Sequence, residues 1–158
     1  MRRLPVLILL AASASAGAAC DTADPAAFAQ RFFDTHRTFY FEETPALAQA
    51  VTAELHRALR NHYRCIEKEG LCHLDYDPWL GAQDGDIAGT PTFTARRTPQ
   101  GGTEVAMRYR FVLNPGEPGA PHEVVLRLQQ TAPPQCWRVS DLITPLGDAL
   151  AARYRGKP

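Results

Sequence analysis

The spacing of apolar residues changes once along this chain, from a helical period to a period of two. Up to about position 66 they recur every three or four residues, as on one face of an amphipathic helix. From about position 89 onward they alternate with polar residues, which is typical of half-buried strands. Because helices that precede a run of strands indicate an α+β fold rather than a parallel α/β fold, this change strongly limits the architecture.

Two long helices are predicted before the change of period. Asp24-Pro25 and Thr44-Pro45 each place a capping residue before a proline at the first helical position. The first helix carries an aromatic stripe that consists of Phe28, Phe32, Phe33, Phe39 and Tyr40. We predict that the second helix runs unbroken to Ile66 and ends at Gly70. Its apolar row consists of Leu47, Val51, Leu55, Leu59, Tyr63 and Ile66.

Four strands are predicted after the change, at about 92–97, 104–113, 122–131 and 136–142. In the second strand, Val105, Met107 and Tyr109 share a face opposite Arg108 and Arg110. Glycine-rich turns between the strands favour an antiparallel meander. Its apolar face needs a cover, which the two helices supply. Thr144-Pro145 is expected to begin a short C-terminal helix.

The first nineteen residues have the pattern of a bacterial export signal. Arg2 and Arg3 precede the apolar run LPVLILL, and small residues follow it. We therefore leave 1–19 out of the fold, treat 20–24 as a tether, and predict a single α+β domain over 25–158.

Cys20 follows those small residues, and its position resembles the lipobox of bacterial lipoproteins, with Gly17 where leucine is usual. We predict that Cys20 is acylated with fatty acids such as palmitate, which would anchor the protein to the inner or outer membrane. Ordinary cleavage would instead leave Cys20 as a thiol that could bridge to Cys136. If Cys20 is lipidated, Cys136 is expected to be an unpaired thiol.

Charge and hydropathy exclude two classes of protein, nucleic-acid binders and membrane-spanning proteins. The chain has 17 Lys+Arg and 17 Asp+Glu, and without the signal 15 basic residues face 17 acidic ones. A mildly acidic domain has no basic footprint for nucleic acid. No later stretch approaches the roughly 20 apolar residues of a membrane helix. We expect no nucleic-acid partner, no cofactor, and contact with the membrane only through the lipid.

Cys65 and Cys72 lie seven positions apart, where a helix end meets a turn. In an oxidising compartment this spacing favours a disulfide. The alternative is a metal site, which needs four ligands, and His73 beside Cys72 completes only part of such a set.

The segment after Cys72 is rich in carboxylates: Asp75, Asp77, Asp84 and Asp86. A calcium loop would alternate Asp or Asn and close with Glu, but Pro78-Trp79-Leu80 interrupts that spacing. We therefore interpret the loop as structural: aspartates cap turns, Trp79 and Leu80 plug the open end of the fold, and Gln83 satisfies buried backbone groups.

An enzyme is not expected from the titratable side chains. Paired carboxylates could serve a hydrolase, but no nucleophile motif accompanies them. The five histidines are scattered, and His62 is expected at the surface or its boundary.

Residues 72–84 read CHLDYDPWLGAQD. This segment resembles the "C…DxDPF(L)xAQD" stretch of an uncharacterised family of exported Gram-negative proteins, many of them lipoproteins, with Trp79 where phenylalanine is usual. The resemblance implies a periplasmic location and a cone-like fold similar to nuclear transport factor 2, with helices packed on a strongly curved antiparallel sheet. It implies no chemistry.

The leading hypothesis is a non-enzymatic, lipid-anchored periplasmic domain that binds an envelope protein, as an accessory subunit of an assembly or as an inhibitor or immunity protein. The alternative is a small-ligand-binding or hydrolytic domain that uses the loop from Asp75 to Asp86. That alternative predicts an open pocket with convergent polar groups and shifted pKa values. A fold mouth filled by Trp79 and Leu80 would count against it.

Overall fold

The computed structural model describes residues 22–131 and 135–155. The elements, in chain order, are α1 Pro25–Thr35, α2 Leu47–Ala50, α3 Ala53–Glu69, β1 Asp86–Arg97, β2 Thr103–Val112, β3 Ala120–Gln130, β4 Trp137–Ile143 and α4 Leu150–Arg155. The predicted α+β fold is confirmed. In the part of the chain described, no helix has both the length and the apolar character needed to cross a membrane.

The sheet is an antiparallel meander in the order β1-β2-β3-β4. As predicted, Val105, Met107 and Tyr109 of β2 are buried, while Arg108 and Arg110 are exposed. The register shifts within β1 and again within β3. Such irregularities bend a strand and increase its twist, which fits the curled shape expected for the sheet.

The first helix begins as its sequence predicts. Asp24 is the N-cap, and its carboxylate accepts a hydrogen bond from the Ala26 N–H at 3.0 Å. Pro25 occupies the first helical position, where its missing N–H costs nothing. The helix ends at Thr35, and Phe39 reaches the core from the turn that follows.

The prediction of one unbroken second helix is wrong, because the structure has two helices in its place, α2 and α3. Val51 adopts an extended conformation and pairs with Val139 of β4. Thr52 then caps α3, since its hydroxyl accepts a hydrogen bond from the Leu55 N–H at 3.3 Å. Val51 is fully buried, so the apolar row looks continuous although the backbone is not. Thr44 caps nothing, and its buried hydroxyl has no hydrogen-bond partner among the described residues.

The C-terminal helix begins at Leu150, later than predicted. Thr144 closes a turn instead, with its hydroxyl accepting a hydrogen bond from the Asp148 N–H at 3.2 Å. The cap of α4 comes from β4, where the Asp141 carboxylate accepts from the Ala151 N–H at 2.9 Å. A cap supplied ten residues earlier in the chain cannot be recognised from local sequence.

Trp79 occupies the centre of the core and has no exposed surface. Its ring centroid lies 5.0 Å from that of Phe33 in α1 and 5.7 Å from that of Phe39. The Trp79 indole N–H donates to the Arg37 carbonyl at 2.8 Å, and the Tyr109 hydroxyl donates to the Trp79 carbonyl. Trp79 and the buried Leu80 therefore belong to the core that packs between α1 and the sheet, and Leu80 also lines the pocket described below.

Candidate binding pocket beside the disulfide

The loop between α3 and β1 is fixed at both ends. Gly70 ends α3 as predicted, with φ 79°, and its N–H donates to the Ile66 carbonyl at 2.8 Å. The predicted Cys65–Cys72 disulfide is confirmed, with Cα atoms 5.9 Å apart, and ties the loop to the last turns of α3. At the far end, a Cβ on Gly85 would lie 2.4 Å from the Phe111 ring. Only glycine permits that approach.

Asp77 has the turn-capping role that the sequence suggests. Its carboxylate accepts from the Trp79 N–H at 2.7 Å and from the Tyr40 hydroxyl. Gln83 is exposed, so the prediction that it satisfies buried backbone groups is wrong. The backbone of the turn satisfies itself, because the Asp77 N–H donates to the Ala82 carbonyl at 3.0 Å.

The other carboxylates of the loop are on its surface. Asp75, Asp84 and Asp86 are all exposed, and Asp86 pairs with Arg37 at 3.3 Å. Asp75 faces the same pocket as Asp77, whereas Asp84 and Asp86 are not among the residues that line it. The structure therefore brings together only part of the acidic loop.

A pocket of about 350 Å³ lies between this loop, the C-terminal half of α3, and α4. Its aromatic side chains are Tyr40, Phe41, Tyr76 and Tyr154, and its carboxylates are Asp75 and Asp77. Among the described residues that line it there is no lysine or arginine. The lining of the pocket is therefore aromatic and acidic, and the nearest basic influence on Asp75 comes from Arg153 in the adjoining cleft.

Tyr154 of α4 contributes an unsatisfied polar group to this pocket. The residue is 1% exposed, and its hydroxyl has no hydrogen-bond partner within the described part of the chain. Burial raises the pKa of Tyr154, which keeps the hydroxyl protonated. A buried hydroxyl without a partner is costly.

His62 lies at the base of the pocket, and its predicted surface location is wrong. It is 3% exposed and stacks on the Tyr154 ring, with centroids 4.0 Å apart and planes at 10°. His62 is buried by tertiary contacts that local sequence does not show. The loop that the disulfide ties to α3 packs over the face of α3 that carries His62, and that face would otherwise lie at the edge of the core. Its Nδ1 lies 3.1 Å from Nδ1 of His73. Desolvation, followed by the influence of His73, lowers the pKa of His62 to about 4, so the ring is neutral at pH 7.

The rim of the pocket is apolar and exposed. Phe41 is 67% exposed and Leu71 is 66% exposed, and both line the opening. A wider cleft of about 680 Å³ adjoins it and shares Leu71 and Asp75. Arg153 in that cleft is already paired with Asp148 at 2.7 Å. The smaller pocket has two carboxylates and no lysine or arginine in its lining, and an exposed apolar rim, so it is the better candidate site.

The cysteines confirm one prediction and correct another. Besides the Cys65–Cys72 bond, Cys136 is also disulfide-bonded, and none of the described cysteines is free. The unpaired thiol expected at Cys136 is therefore wrong. Cys20, on which the lipidation prediction falls, lies outside the described residues, as does the signal segment.

No protein-family model matches this chain, and neither does any curated protein or solved structure. The resemblance of residues 72–84 to a family of exported proteins therefore stays a prediction.

Proposed function

We propose that this chain is a non-enzymatic binding domain of the cell envelope, and that it holds a partner protein by a basic side chain of that partner. The observation that carries the proposal is the composition of the pocket: aromatic rings, Asp75 and Asp77, and no lining lysine or arginine. A guanidinium or ammonium group is the chemical complement of such a site.

Two interactions favour a cation there. Aromatic faces attract cations within about 6 Å, and the interaction strengthens to about 2 kcal/mol when the site is desolvated. The carboxylates of Asp75 and Asp77 add charge complementarity, which contributes to specificity and to the rate of association. His62, with its pKa lowered to about 4, adds no competing positive charge at neutral pH.

The rim favours a protein over a free amine. Phe41 and Leu71 expose most of their side chains at the opening. A small amine inside the pocket would leave both in water, whereas a protein surface that inserts a basic side chain also covers them. Large exposed apolar side chains beside a polar pocket are typical of interaction sites.

The cysteine chemistry supports an envelope location. The Cys65–Cys72 bond and the disulfide-bonded state of Cys136 are typical of an oxidising compartment. A sulfur acylated at Cys20 cannot also form a disulfide, so lipidation and a Cys20–Cys136 bond are alternatives. The intact mass of the mature, unreduced protein decides between a lipid anchor and a released domain.

Side-chain mimics test the pocket directly. We expect Nα-acetyl-arginine amide to shift the ¹H–¹⁵N resonances of pocket residues, and the neutral isostere Nα-acetyl-citrulline amide to leave them unchanged. Asp75→Asn should weaken binding up to about fivefold, as for an exposed ion pair. Asp84→Asn removes the same charge from the same loop outside the pocket and should have no effect.

Equal binding of the neutral isostere would contradict the proposal. Leu71→Ala separates the two sources of a cation, because Leu71 lies on the rim and is not one of the aromatic rings of the pocket. The variant should keep the affinity for the arginine mimic and reduce affinity for an arginine-bearing peptide with flanking apolar residues. If it leaves peptide binding unchanged, the pocket serves a free organic cation instead.

A further inference from the structure

Two disulfide-bonded cysteines and two imidazoles lie together beside the pocket, and the proposed function assigns none of them a bond to the ligand. One nitrogen of His73 and the sulfurs of Cys65 and Cys72 all lie within 4.8 Å of one another. His62 is outside that group of three, but its Nδ1 lies 3.1 Å from Nδ1 of His73, so a side-chain shift toward the sulfurs would supply a fourth donor. We propose that, once the Cys65–Cys72 disulfide is reduced, these four side chains bind one Zn²⁺ ion.

The separation of the two imidazole nitrogens is close to that in a tetrahedral zinc site. Nitrogen ligands about 2.0–2.1 Å from the ion lie about 3.3–3.4 Å from each other, and two thiolates at about 2.3 Å lie about 3.8 Å apart. The 3.1 Å separation of the imidazole nitrogens is within a few tenths of an ångström of the first value. The two sulfurs reach the second by side-chain rotation after their bond is broken, with Cα atoms that start 5.9 Å apart.

The ring of His62 is oriented for ligation. Its imidazole bonds the Tyr40 backbone, and because Nδ1 faces His73 we assign this bond to Nε2–H. The tautomer then leaves a lone pair on Nδ1, directed toward the cluster. Metal-binding histidines are typically held this way, with the second ring nitrogen donating to a carbonyl.

His73 is held in place by an unusual backbone. Its φ of 64° makes it the one non-glycine residue in the described ranges with a positive φ. That conformation costs a histidine free energy and persists only where the surroundings impose it. It directs the imidazole back toward His62 and the sulfurs instead of out into solvent.

The chemistry requires a dithiol reductant. Two electrons from the reductant break the Cys65–Cys72 bond, two protons complete the thiols, and the reductant closes its own disulfide. Zn²⁺ then displaces both thiol protons and bonds the two thiolates and the two neutral imidazoles. In the reverse direction the disulfide form of the reductant accepts two electrons from the thiolates and takes up two protons, the Cys65–Cys72 bond re-forms, and the ion is released, so metal and disulfide are alternative links between α3 and the loop.

Titration of the full, folded chain with Zn²⁺ tests this inference, with Co²⁺ as a spectroscopic probe. The reduced protein should bind one equivalent with a dissociation constant below about 1 μM, and the cobalt form should show the thiolate charge-transfer bands of a tetrahedral site. The oxidised protein should bind neither ion at this affinity. The double variant Cys65→Ser, Cys72→Ser should lose the site.

The histidines are tested by substitutions the fold tolerates. Asparagine adopts positive φ more readily than most residues, so His73→Asn keeps the backbone and should weaken binding by at least about 100-fold. His56→Asn on the same helix and Cys136→Ser should leave affinity unchanged. Unaltered affinity in His73→Asn, or equal binding by the double serine variant, would overturn the proposal. These measurements use no basic ligand, so they stand apart from the proposed function.

Discussion

Replacement of Trp79 with alanine is expected to lower the free energy of unfolding by about 3–5 kcal/mol, the usual cost of removing a large buried aromatic side chain. Trp79 is fully buried, with Phe33 and Phe39 against its ring. The variant loses this packing and leaves a cavity. It also leaves the Arg37 carbonyl without the indole N–H that donates to it at 2.8 Å. Urea denaturation followed by far-UV circular dichroism measures the loss.

Two further variants separate the contribution of the buried ring from that of the indole N–H and provide an exposed control. Trp79→Phe keeps an aromatic ring but removes the indole N–H, so a smaller loss of about 1–3 kcal/mol is expected. Asp84→Ala, exposed on the same loop, should change stability by less than about 0.5 kcal/mol. A Trp79→Ala variant that is no less stable than Asp84→Ala would contradict the assignment of Trp79 to the centre of the core.

The change of period predicted the fold class because burial of one face imposes the same spacing on any sequence that forms these elements. Alternation located all four strands, although β1 begins at Asp86 and not near position 92, and the Asp24-Pro25 pair located the start of α1. The apolar spacing could not detect the break at Val51, since an extended residue that packs on β4 is as apolar as a helical one. It placed the start of α4 too early because the cap comes from Asp141, on a strand that precedes it.

The candidate site was predicted in part. Cys65, Cys72 and the aspartates could be selected from the sequence, because two cysteines and several carboxylates in such a short segment have few alternative roles. Tyr40, His62 and Tyr154 were missed, although they supply the floor and the unsatisfied hydroxyl of the pocket. They come from three separate parts of the chain, and only the folded loop places them together. No local spacing marks such a group.

The disulfide links these observations. By tying the loop to α3, it buries His62 and covers Tyr154, and it places Asp75 and Leu71 at the pocket. The aromatic core around Trp79 holds the other end of the same loop through the turn at Asp77. Loop position, pocket shape and the state of the two imidazoles should therefore change together.

We expect acid to destabilise the protein over the pH range in which His62 gains a proton. Its pKa is about 4 in the folded state against 6.5 for the unperturbed group, so the unfolded chain binds the proton more readily. The contribution of His62 to the free energy of unfolding is fully present above about pH 6.5. It is lost as the pH falls toward 4, and the loss reaches up to about 3 kcal/mol. Urea denaturation at pH 7, 6 and 5 should give a steadily falling free energy of unfolding.

A substitution at His62 isolates its contribution, because it should change the slope of the free energy of unfolding against pH. His62→Gln lowers stability at pH 7 but should flatten its decline between pH 7 and 5, leaving the smaller share of His36, whose pKa burial also lowers. His56→Gln, on the same helix, should keep the steep decline. Carboxylates such as Asp148 act below this window, because its pKa is lowered from 3.8. An unchanged slope in His62→Gln would show that the buried imidazole pair does not set the acid sensitivity of the fold.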